Sequence, residues 1–126
     1  MNLQNRLWRT SMSREIGIDI VEFEEIRERL SDRFINRILS DQELEKYKQI
    51  KNTDRKMSYL AGRFAAKEAY TKVYKQFETS LNFKDVIILN DQYGAPYIIS
   101  KYHPQDHISI SISHSKNYAI AICIKE

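Results

Sequence analysis

Arg63-Phe64-Ala65-Ala66-Lys67-Glu68-Ala69-Tyr70-Thr71-Lys72 is the stretch around which the chain is organised. Ala, Lys, Glu and Arg favour helix, and after Gly62 no Pro or Gly interrupts the sequence until Gly94. At about 100° per residue, Met57, Ala61, Phe64 and Ala65 fall on one face of that helix, with Glu68 in its middle. A carboxylate in an apolar stripe requires a cation, a proton or a water-filled cleft, because an isolated buried charge is costly. Lys72 stands one turn on and is within pairing reach. The plainer alternative is an i,i+4 ion pair on a half-exposed helix edge.

Upstream, Glu15 to Phe23 alternates with the period of a strand. Ile16, Ile18 and Ile20 point one way, and Gly17, Asp19 and Val21 the other. Gly17 leaves room for something to approach the backbone. Asp19 is either a strand-edge acid facing water or, with Glu68, the second acid in an apolar setting. Short helices are expected over Glu22–Leu30 and Asp32–Leu39. Ser40-Asp41-Gln42-Glu43 has the spacing of a capping box and starts a helix to Lys51. The long helix is expected from about Asp54 to Tyr74. Beyond it, Val86–Leu89 and Tyr97–Ile99 read as strands about an Asn90–Pro96 turn. His107 to Ser115 alternates, with Ser109, Ser111 and Ser113 on one face and Ile108, Ile110, Ile112 and His114 on the other. Lys116-Asn117 then turns the chain into a strand over Tyr118–Ile124. One strand, several helices and four strands predict an α+β domain, with helices packed on a mainly antiparallel sheet and one long central helix.

The 126 residues fit one domain, 42% hydrophobic and 29% charged. Residues 1–13 carry Arg6 and Arg9 and no acid, and are expected to be a disordered extension; the domain then runs over 14–126. No apolar run reaches the length of a membrane span. Cys123 is the only cysteine, which rules out an internal disulfide and fits a reducing, cytoplasmic compartment. A net charge of +3 permits an acidic partner but does not call for nucleic acid; no Lys/Arg stripe with interleaved aromatics is present.

Asp19 and Glu68 come from different elements, and two carboxylates with open coordination positions suit Mg²⁺, an ion that keeps waters and accepts phosphate ligands. Arg63, Lys67 and Lys72 on the same helix supply cations for the remaining phosphate charge. Phosphoryl transfer is mostly positioning and charge neutralisation, so this inventory is sufficient for it. Glu68 and His114 are candidate bases, although a lone His at a strand end is more often structural. His103 and His107 have no zinc-like spacing, and no Gly-rich phosphate loop is present.

Four motifs carry a resemblance. Gly17-Ile18-Asp19-Ile20-Val21-Glu22, Gly62 to Ala69 with Lys72, Gly94-Ala95-Pro96-Tyr97 and Ser111-Ile112-Ser113-His114-Ser115 together resemble, in order and spacing, the holo-[acyl carrier protein] synthases. The resemblance covers about Ile16 to Lys125. It implies a 4′-phosphopantetheinyl transferase that moves phosphopantetheine from coenzyme A to a serine of apo-acyl carrier protein, with Mg²⁺ on Asp19 and Glu68. It also implies a homotrimer with active sites at subunit interfaces. Glu68, Lys72 and His114 are then the catalytic candidates. Arg63, Lys67, Lys72, Ser113 and His114 face coenzyme A, and Arg27, Arg29, Arg33 and Arg37 face the carrier protein. Two stretches depart from the family's pattern: Tyr74–Ser80 contains no glycine, and Glu24 and Glu25 make the first helix more acidic. They favour the alternative of a weakened relative that only binds coenzyme A or a carrier protein.

Overall fold

A computed structural model of the chain describes residues 15–74 and 81–126. The extension expected over residues 1–13 lies outside them, as does most of the glycine-free stretch, residues 75–80. Among the described residues the elements run β1 (Glu15–Glu22), α1 (Phe23–Arg29), α2 (Asp32–Ile38), α3 (Asp41–Gln49), α4 (Thr53–Val73), a 3₁₀ turn (Phe83–Asp85), β2 (Val86–Asn90), β3 (Pro96–Ser100), β4 (Ile108–His114) and β5 (Tyr118–Lys125).

Helix α4 is the axis of the fold. Asn52 caps it, its Oδ1 accepting from the Arg55 N–H at 2.9 Å. Leu60, Ala61, Ala65, Ala66, Ala69 and Tyr70 are fully buried on it. The alanines let the helix lie close against the antiparallel sheet β1-β5-β4. The approach is closest at Gly17, where an added Cβ would stand 2.0 Å from the Ala69 carbonyl oxygen. What the glycine on β1 admits is therefore the backbone of α4. At the other flank, a Cβ on Gly62 would meet Ile112 of β4 at 3.0 Å.

The inward face of β1 is the one with Gly17 and Val21, and Asp19 shares it. Across the sheet it continues through Ala119, Ala121 and Cys123, all buried. The other face carries Ile16, Ile18 and Ile20, which are 63%, 49% and 62% exposed, beside Ile122 at 37%. Together they form a contiguous exposed apolar patch on one sheet.

The capping box at Ser40 forms as expected: Ser40 Oγ accepts from Glu43 N, and Glu43 Oε1 accepts from Ser40 N. One difference from expectation concerns the strands, which make two antiparallel ladders rather than one sheet. Strand β3 ends at Ser100, whose Oγ accepts from the N–H groups of Tyr102 and His103. That turns the chain away before it pairs with β4, so β2–β3 remains a separate hairpin. Its tip is held by Asp91, which accepts from Tyr93 N and Ala95 N, and by Gly94 at φ 86°.

Candidate active site

The crossing of β1 over α4 brings the two candidate metal acids together. Asp19 points inward from the strand beside the helix turn that carries Glu68 and Lys72. The Lys72 ammonium donates to the Ile18 carbonyl at 2.8 Å and to Asp19 Oδ1 at 3.2 Å. Glu68 is half-buried. Burial is the main cause that raises its pKa and the negative charge of Asp19 adds to it; Lys72 and Arg29 pull the other way. Two neighbouring carboxylates, with the Lys72 ammonium already drawn to Asp19 and the Ile18 carbonyl, form a place for positive charge. The donor set fits Mg²⁺. Among the described residues no third His, Cys, Asp or Glu joins them, so water and phosphate would complete the shell of a hard ion.

Glu68 opens into a groove of about 860 Å³. Arg29, Arg33, Arg37 and Lys84 line it, over an apolar floor that includes Phe34 and Phe83. Arg29 is stacked in place, its guanidinium 4.7 Å from the Phe34 ring centre and 5.7 Å from that of Phe64. A second cavity, of about 720 Å³, lies elsewhere on α4. Arg63, Asn90, Gly94, Tyr97 and His114 border it, and it shares no lining residue with the groove. Arg63 is 6% exposed; it donates to Asn90 Oδ1 at 2.6 Å and to the Ile88 carbonyl at 3.3 Å, and lies 4.1 Å over the Tyr59 ring. Its Nε is buried without a partner. The structure thus brings Asp19, Glu68 and Lys72 together, and brings Arg63 together with His114, but in a single chain it keeps the two groups apart.

The 4′-phosphopantetheinyl transferase superfamily model matches residues 15–123, almost the whole chain. The chain belongs to that superfamily. It is 44% identical over 115 residues to the holo-[acyl-carrier-protein] synthase of Acholeplasma laidlawii, covering 91% of this chain and 98% of that protein. Against the synthase of Streptococcus agalactiae the identity is 46% over 112 residues, covering 87% and 93%. Among solved structures, the Bacillus anthracis synthase in complex with coenzyme A (3′,5′-ADP) superposes with a TM-score of 0.78 at 38% identity, covering 89% of this chain and 95% of that one. The Helicobacter pylori synthase in complex with coenzyme A gives 0.74 at 32% identity, covering 88% and 99%. The α+β architecture with a long central helix is that of these phosphopantetheinyl transferases, and the chain is an enzyme of their kind.

Within this transferase, two expected site residues, Lys67 and Arg27, stand elsewhere than the sequence suggested. Lys67 is fully buried, not turned to a phosphate. Its three protons go to Glu43 Oε1, the Ile38 carbonyl and the Phe83 carbonyl, so none is left for a ligand. A helix turns about 100° per residue, and that step takes Lys67 into the core while Glu68 stays in the groove. Ser113 lies on the outer face of β4, opposite to His114 as the alternation predicts, in line with Ile120 and Ile20. Arg27 pairs with Glu24 at 3.2 Å and lines a separate hollow with His114 and Lys116, away from Arg29, Arg33 and Arg37.

Sequence reasoning missed Glu43, Asn90 and Tyr59. Glu43 was legible only as a capping residue, and Asn90 only as turn chemistry. Glu43 is 24 residues from Lys67 and Asn90 is 27 from Arg63, so no local spacing announces them, whereas Tyr59 stands one helical turn before Arg63, a spacing the sequence did carry. His103 has a structural place, accepting or donating at 2.7 Å with the Tyr70 hydroxyl and stacking on the Tyr74 ring at 3.7 Å.

Proposed function

We propose that this chain transfers the 4′-phosphopantetheine group from coenzyme A to a serine hydroxyl of apo-acyl carrier protein, releasing adenosine 3′,5′-bisphosphate, and that it is a homotrimer with its sites between subunits. The observation that carries this reading is the meeting of Asp19, Glu68 and Lys72 at the end of a groove lined with arginines.

The serine oxygen attacks the β-phosphorus of the coenzyme A diphosphate, and the bond to the bridging oxygen of the departing nucleotide breaks. Asp19 and Glu68 would hold Mg²⁺, which when bound neutralises diphosphate charge. Glu68, or a water beside it, takes the serine proton. Lys72, at the same point, balances charge on the leaving bisphosphate. Arg29, Arg33 and Arg37 form a rim suited to an acidic carrier protein. Arg63 and His114 border a cavity suited to the nucleotide end of coenzyme A.

In one chain that cavity and the Glu68 groove are separate, so a single substrate reaching both must do so across two subunits. The exposed isoleucines of β1 and β5 supply the apolar contact such an assembly needs. We assign the enzyme to the cytoplasm. Cys123 supports this, as a lone buried thiol that burial pushes up to about 12 and that fits a reducing compartment.

The test is incubation with coenzyme A, Mg²⁺ and an apo-carrier protein, read by intact mass. A gain of one phosphopantetheine group is expected. It should vanish in Asp19→Ala and Glu68→Ala, with circular dichroism unchanged. Transfer surviving in Glu68→Ala would remove the metal and base assignments. Binding of coenzyme A without any mass gain in the parent chain would favour the weakened-relative alternative.

A further inference from the structure

Glu43 and Lys67 form an ion pair whose side chains are both 0% exposed. What distinguishes the pair is the set of elements it ties. Lys67 Nζ, on α4, donates to the Ile38 carbonyl at the last residue of α2 at 2.7 Å, and to the Phe83 carbonyl in the 3₁₀ turn at 2.9 Å. Glu43, on α3, accepts from Ser40 N with Oε1 and from Ile88 N of β2 with Oε2, each at 2.7 Å.

Two of those grip points are walls of the arginine groove. Ile38 ends the helix that carries Arg33 and Arg37, and Phe83 precedes Lys84; all five residues line the groove. The next residue on α4 after Lys67 is Glu68 itself. The ammonium therefore fixes both walls to the helix turn that carries the acid at the groove's end. A buried ion pair is weak evidence for stability, since apolar side chains of similar volume often do as well. Apolar side chains could fill this space, but they could not hold two carbonyls and two N–H groups from separate elements in register.

We propose that Glu43 and Lys67 are positioning residues for carrier-protein docking: they set the spacing between the arginine-bearing wall, the Phe83–Lys84 wall and Glu68. The inference rests on the reading above that this groove receives the carrier protein.

The test is steady-state kinetics of the full chain with apo-carrier protein and coenzyme A varied in turn. Three variants are compared, Glu43→Gln, Glu43→Gln with Lys67→Met, and Arg33→Ala with Arg37→Ala. In the folded Gln/Met double variant, KM for the carrier protein should rise about tenfold while KM for coenzyme A and kcat at saturating carrier stay within about twofold. Glu43→Gln keeps the shape and an accepting oxygen, and should fall between. A folded double variant with KM for the carrier unchanged, or with both KM values rising together, overturns the proposal. So does failure of both Glu43→Gln and the double variant to fold, because the pair would then serve the fold and not the groove. The Arg33/Arg37 variant separates the two readings: if it leaves KM for the carrier unchanged, the groove itself has been misassigned.

Discussion

At Gly17 the absence of one methyl group decides how closely Asp19 approaches the helix that carries Glu68. A Cβ there would overlap the Ala69 carbonyl, which is backbone and cannot rotate aside. Gly17→Ala should therefore push β1 off α4, costing about 1–3 kcal/mol. Asp19 is two residues on and moves with the strand. Thermal unfolding should show a lowered Tm, and carrier-protein labelling should fall further than the stability loss explains. A second residue-scale consequence concerns Glu68. Its carboxyl is held above the ordinary range by burial and Asp19, and Arg29 opposes that rise. As the proposed Mg²⁺ ligand Glu68 must be deprotonated, so Mg²⁺ affinity is lost as pH falls through its metal-free pKa. Removing Arg29 lets that pKa rise further. The pH below which Mg²⁺ binding to the free chain weakens, read by calorimetry, should be higher in Arg29→Ala; a lower one would contradict the assigned electrostatics.

Among the elements, α3 and α4 show how local signals and distant contacts combine. The box at Ser40 satisfies backbone donors at the start of α3, and Ser40 is itself buried. Ser40→Ala should cost about 1 kcal/mol, read as a Tm reduction of several degrees. An unchanged Tm would mean that the Glu43 carboxylate alone sustains that end. In α4 the sequence carries two codes at once. Its alanines meet the sheet, while successive positions Lys67 and Glu68 diverge, one into the core and one into the groove.

For the whole molecule, the isoleucine face and the two separate cavities make one prediction. Ile18→Glu should give a monomer by light scattering and abolish transfer although Asp19, Glu68 and Lys72 stay together. If Arg63 and His114 serve a neighbour's site, then mixed trimers of Glu68→Ala and His114→Ala chains contain some intact sites. Unfolding and refolding the two inactive variants together should restore partial activity. No recovery would mean that each chain uses its own cavity.

Much of this was written locally. The helix over Arg63–Lys72, the alternation of Glu15–Phe23 and of His107–Ser115 and the Ser40 box could all be read from spacing, because helix and strand periods assign faces within one element. Periodicity does not say which face turns inward. Only the tertiary structure decided that Ile16, Ile18 and Ile20 face outward while Asp19 faces the helix. It alone took Lys67 away from the phosphates, joined it to Glu43, and divided the strands into two ladders. Those outcomes depend on contacts between residues far apart in the chain, where burial and the need to satisfy every buried charge and N–H act on the packed whole and leave no mark in local spacing.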